Sequence, residues 1–166
     1  MSRRKLGEKG FTLIEVIVCL VLLGILCAVA GMGMAQIADG YVFARQNAET
    51  SQKAQVAIAK IVKELGAAYA VSALPAPTTN SVTYTRLPGP VTNRISFSAT
   101  EGVVAINDVK IMNNVKGFTL AYVDAANNTT TVTENIRLID ITLTVNGANT
   151  TTIPYDKISV YLQEAP

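Results

Sequence analysis

The residue types that could do chemistry are few, and their placement narrows what the chain can do. No histidine occurs in the 166 residues, so Ser-His-Asp and Cys-His relays and histidine-ligated metals are out of reach. The two cysteines, Cys19 and Cys27, both fall inside one uninterrupted apolar run, where they act most simply as small packing residues. Eight residues of helix would separate them by about 12 Å, beyond disulfide reach. No thiol remains for the rest of the chain. The acidic residues Glu101, Asp108, Asp124, Glu134, Asp140, Asp156 and Glu164 stand one by one. The loop 124–128, Asp-Ala-Ala-Asn-Asn, could offer oxygens to calcium. It lacks the turn glycine and the dense ligand spacing of such sites, so a solvated loop is the expectation. Asn127, Asn128 and Asn149 each open an Asn-x-Thr triplet, a glycosylation acceptor pattern that Thr-rich loops generate by chance. One group stands apart. Glu15 sits at the start of a stretch, 16–35, with no Asp, Glu, Lys or Arg. A carboxylate near bilayer depth is costly and marks a function or a partner, yet the nearest cations are Lys9 before it and Arg45 after it. No catalytic residue, cofactor or metal site is expected.

The element that must position Glu15 is a helix. At about 1.5 Å of rise per residue, the apolar run can cross a hydrocarbon core of about 30 Å. Ahead of it, Arg3, Arg4, Lys5 and Lys9 against Glu8 make the first ten residues net +3, and the side chains of the other 156 sum to −1. The overall charge of +2 therefore argues for membrane topology and not for nucleic acid, since positive residues stay cytoplasmic. Gly24, Gly31 and Gly33 interrupt the run. They suit close helix packing in a membrane or a weak segment able to stretch. Gly31-Met32-Gly33 lacks a preceding strand and a third glycine, so it is no phosphate loop. Ala28-Val29-Ala30 offers an ordinary signal-peptidase site as the bland alternative. The carboxylate inside the supposed hydrophobic region, and the length of that region, count against it.

A basic leader, Gly10, then Phe11-Thr12-Leu13-Ile14-Glu15-Val16 and an apolar helix closely resembles the class III signal of type IV pilins and type II secretion pseudopilins. That resemblance implies cleavage between Gly10 and Phe11 by a prepilin peptidase, and N-methylation of Phe11 by the same enzyme. It also implies a single-pass protein of the bacterial inner membrane with its C-terminal part outside the cytoplasm, then a place in a filament. In the filament Glu15 would meet the methylated amine of Phe11 in a neighbouring subunit. The expected partners are other pilin or pseudopilin subunits, the peptidase, and an assembly ATPase with its platform protein. Met32 stands where many major pilins have a helix-kinking proline, and no C-terminal disulfide is possible; both are departures from that subgroup.

Beyond Ala35 the sequence becomes amphipathic. Ile37, Tyr41, Ala44, Ala48, Ser51, Ile58, Val62, Leu65 and Tyr69 recur at three-, four- and seven-residue steps, as one helix face does. With no proline between Phe11 and Leu74, one helix is expected from about 11 to about 70. Pro75 and Pro77 then mark a linker. Short β runs follow at 81–86, 94–99, 103–106, 109–112, 118–124, 136–145 and 158–162, with turn signals at Asn107-Asp108 and Asn146-Gly147. The expected fold class is α+β, a long N-terminal helix packed on an antiparallel β domain. Its expected parts are a leader (1–10), a transmembrane and assembly helix (11–37), an amphipathic helix (38–73), a linker (74–80) and a β head (81–166). Within the family, 55–65 and 117–124 are similar to J-type minor pseudopilins and their W-type pilus counterparts.

Three functions remain in play: a structural subunit of a pilus or pseudopilus, a membrane-anchored adhesin or binding module, and an envelope enzyme. The enzyme needs clustered acid and base groups that are absent from the sequence. A passive anchor has no use for Glu15, so the structural subunit is the favoured reading, as a minor rather than a major component.

Overall fold

A computed structural model describes residues 11–86 and 91–163. The leader, Gly10 and Glu164 lie outside the described residues. The described chain is α+β: one long helix, α1 (Leu13–Gly66), followed by antiparallel sheets. It divides into two compact units, Met1–Val42 and Phe43–Pro166.

In the first unit the described residues are almost entirely helical. α1 passes through Gly24, Gly31 and Gly33 without a break, and a Cβ at any of the three would meet nothing within 4 Å. Its apolar side chains are uncovered, from Leu13, 82 % exposed, to Met34, 73 % exposed.

In the second unit, the remainder of α1 packs on two sheets. The first is a five-stranded meander of β1 (Ala68–Val71), β2 (Ser81–Arg86), β3 (Val91–Ser98), β4 (Val103–Ile106) and β5 (Val109–Met112). The second is a three-stranded meander of β6 (Val115–Val123), β7 (Leu138–Asn146) and β8 (Thr152–Tyr161). Every neighbouring pair is antiparallel. In β7 the alternation of Ile139, Ile141, Leu143 and Val145 puts four aliphatic side chains on the core face. Phe118 and Leu120 of β6 and Val160 of β8 join them. Phe97 and Phe118 meet across the two sheets as a tilted pair, ring centroids 6.1 Å apart.

α1 contributes Ala54, Ala57, Ile58, Ile61 and Leu65 to this core. The expected face is thus rotated. Ile58 and Leu65 are buried and Val62 packs against the core, but Ala44 and Ala48 are exposed, while Ala57 and Ile61 take the inward positions. Ala44 and Ala48 extend the apolar periodicity of the first unit, whereas burial follows where the sheets lie.

The helix also ends earlier than expected, at Gly66 and not near Ala70. Ala68–Val71 pairs instead with β2, placing Ala68 opposite Arg86 and Val71 opposite Tyr84. Ala-Tyr-Ala-Val favours neither state strongly, and a ladder of sheet hydrogen bonds overrides the helix preference of its alanines. β8 begins at Thr152, six residues ahead of the expected start. Pro154 hides it in the sequence, and it is tolerated because β8 is an edge strand. At Asn107-Asp108 both residues have positive φ, 49° and 64°, as a tight hairpin between β4 and β5 requires.

Candidate functional site

The start of α1 is built by its own side chains. Thr12 precedes the first helical residue, and its Oγ1 accepts a hydrogen bond from the Glu15 backbone N–H at 3.3 Å. The Thr12 carbonyl also accepts from Glu15 N–H at 3.1 Å and from Val16 N–H at 3.3 Å. Thr12 is therefore the N-cap, and Glu15 stands at the third helical position, the Thr-x-x-Glu spacing of a capping box with its Thr12 half formed. Its carboxylate lies in the first turn, where negative charge complements the helix dipole. Sequence separation from any cation marks Glu15 but not Thr12; the Thr-x-x-Glu spacing is the signal for the cap.

Among the described residues Glu15 is in no ion pair. Phe11, just ahead of the cap, is 78 % exposed. Gly10 lies outside the described residues, so the predicted cleavage bond has only its Phe11 side described. The helix that follows is long and apolar enough to cross a membrane, and its most apolar window is wholly unburied.

Residues 5–31 match the family model of the prokaryotic N-terminal methylation motif. The match spans Gly10, Phe11, Thr12 and Glu15 together with Cys19 and Cys27. Neither a curated protein nor a solved structure matches the chain. The methylation motif thus belongs to the same stretch whose helix start is capped and whose apolar surface is uncovered. That stretch carries a prokaryotic N-terminal methylation motif.

The other candidates belong to the second unit. Asp124 Oδ1 accepts from the backbone N–H of Ala126 at 2.9 Å and of Asn128 at 2.8 Å, so that oxygen closes its own loop. Asp140 accepts from Ser159 Oγ at 2.5 Å and pairs with Lys157 at 3.6 Å. Glu101 pairs with Lys110 at 3.2 Å. Among the described residues no three His, Cys, Asp or Glu side chains gather as metal ligands would. Asn127 and Asn149 have positive φ on exposed loops.

One polar cluster escaped the sequence reading because its members are far apart in the chain. Glu64 of α1 accepts from Tyr84 Oη at 3.2 Å and from Arg86 Nη1 at 3.0 Å. Tyr84 is fully buried, and burial, reinforced by the Glu64 carboxylate, pushes its phenol well above the ordinary range. The cluster ties the last turns of α1 to β2 and is internally satisfied, as a structural brace should be. Tyr122 is a second brace. Its hydroxyl donates to the carbonyls of Thr78 at 2.7 Å and Ser81 at 3.1 Å, and burial raises its phenol in the same direction.

Proposed function

We propose that this chain is a structural subunit, of the minor J-type or W-type kind, in a type IV pilus or type II secretion pseudopilus. The observation that carries the reading is the methylation motif over residues 5–31, placed on a capped helix whose apolar surface has no cover within its own unit. A prepilin peptidase cuts between Gly10 and Phe11 and methylates the Phe11 amine. The subunit then waits in the inner membrane, anchored by the apolar run, with its β head outside the cytoplasm. Glu15 is the docking charge. In the bilayer it lacks a cation, a penalty of about 3 kcal/mol on insertion scales. Pairing with the methylated Phe11 of a neighbouring subunit relieves that penalty as the apolar helices bundle. The minor assignment is supported by the likeness of 55–65 and 117–124 to minor subunits, and by a head that carries no cysteine.

Two variants test the reading at separate steps. Gly10→Val blocks cleavage, because the peptidase must accommodate a side chain where none existed, and mass spectrometry of the wild type finds a methylated terminus at Phe11. Glu15→Ala is inserted and cleaved normally but is lost from sheared filaments or cross-linked assemblies, with Glu15→Asp intermediate. Normal assembly of Glu15→Ala refutes the docking role. A mature terminus near Gly31 refutes the processing.

A further inference from the structure

The turn between β7 and β8 carries a chemistry that filament assembly does not use. Asn146, the last residue of β7, is exposed and is followed by Gly147. In an Asn-Gly pair the next backbone nitrogen reaches the side-chain carbonyl carbon with least hindrance, because no Cβ stands beside it. The packing favours this glycine. A Cβ at 147 would collide with Oδ1 of Asn47 on α1, and would lie 3.3 Å from both Ile153 Cδ1 and the Thr151 carbonyl oxygen. Backbone conformation is not the reason, since φ at Gly147 is −85°. Close packing of the turn on α1 therefore favours the reactive pair.

The same packing restrains it. Gly147 N–H donates to the Thr151 carbonyl at 2.7 Å, and Asn146 N–H donates to the Asn114 carbonyl at 2.8 Å. Ala148 N–H donates to Asn47 Oδ1 at 2.8 Å. The nitrogen that would attack is tied into the turn, and Asn146 is held opposite Thr152 in the β7–β8 ladder. Asn47 is the clasp that fastens this turn to the helix.

We propose that Asn146 is a spontaneous deamidation site gated by the Asn47 clasp. When the turn opens, Gly147 N loses its proton and bonds to Asn146 Cγ. The side-chain amide nitrogen leaves as ammonia and a succinimide remains. Water then opens the ring at one carbonyl or the other, leaving aspartate or isoaspartate at 146. One water enters and one ammonia leaves, with no oxidant or reductant. Either product adds a carboxylate to the polar recess lined by Glu49, Thr50 and Lys53, and isoaspartate also inserts a methylene into the backbone opposite Thr152. The change is one-way and loosens the attachment of the second sheet to α1.

The test is a deamidation time course of the full chain in detergent micelles at mildly alkaline pH, read by intact mass and peptide mapping. Wild type, Asn47→Ala and Asn47→Asp are each followed folded and in urea. In urea all three react at 146 at one common rate. Folded wild type reacts at least about tenfold slower, the factor that corresponds to 1.4 kcal/mol of local opening. Folded Asn47→Ala, checked by its circular dichroism, reacts several-fold faster than wild type, and Asn47→Asp, which keeps the acceptor oxygen, stays at the wild-type rate. No reaction at 146 in urea overturns the site. Equal folded and unfolded rates overturn the gate, and a wild-type rate in folded Asn47→Ala overturns the clasp. Should Asn47→Ala fail to fold, folded Asn47→Asp decides: a rate matching its own rate in urea overturns the gate.

Discussion

Ile61→Ala tests the packing of α1 on the two sheets. Ile61 is 1 % exposed and lies in the core cluster that α1 shares with both sheets, three residues after Ile58 and four before Leu65. Truncating a fully buried isoleucine to alanine costs about 2–5 kcal/mol, transfer and cavity terms together. Taking about 3 kcal/mol, and a urea dependence of about 2 kcal/mol per molar, the unfolding midpoint falls by about 1.5 M. Val56→Ala is the control on the same helix. Val56 is 69 % exposed, so its truncation stays within about 0.5 kcal/mol, a midpoint change below about 0.3 M. The assay is urea unfolding of the chain in micelles, followed by near-ultraviolet circular dichroism of its six tyrosines, there being no tryptophan. Equal midpoint shifts for the two variants would refute the packing described for α1.

Three further outcomes are expected. The phenols of Tyr84 and Tyr122 are raised in the folded state, so their contribution is complete below the ordinary phenol value near 10 and is lost as pH climbs above it. An alkaline titration should show their ionisation coinciding with loss of β structure, and the Tyr84→Phe/Tyr122→Phe double variant should lack that late absorbance step. Thr12→Val removes the cap of α1 at a cost of about 1 kcal/mol, and hydrogen exchange at Glu15 and Val16 in micelles should quicken about fivefold. Gly147→Ala forces a Cβ against Asn47 and destabilises by about 1–3 kcal/mol. Adding Asn47→Ala should recover part of that loss in urea unfolding, because the two positions touch.

Much of this protein is local and could be read from its residues. Glu15 and the charge-free stretch behind it, the Thr-x-x-Glu start and the apolar helix all follow from neighbours a turn or two apart. β2, β4 and β5 fell where expected, because short alternating runs between turn residues depend on little else. Other features needed distant partners. Ala68–Val71 became strand because β2 was there to pair with it, and Thr152 to Lys157 did so despite Pro154 because among the described residues no further strand pairs with that edge. Which side of α1 is buried was decided by where the sheets sit and not by its own period. Gly147, a turn residue by sequence, is packed against a side chain a hundred positions earlier in the chain. The sequence alone determined the long apolar helix and the fold class, since hydrophobic runs and periodicity act within a few residues. The tertiary structure decided the inward face of α1, the Glu64–Tyr84–Arg86 brace and the Asn47 clasp, since contacts between segments far apart in sequence leave no local pattern.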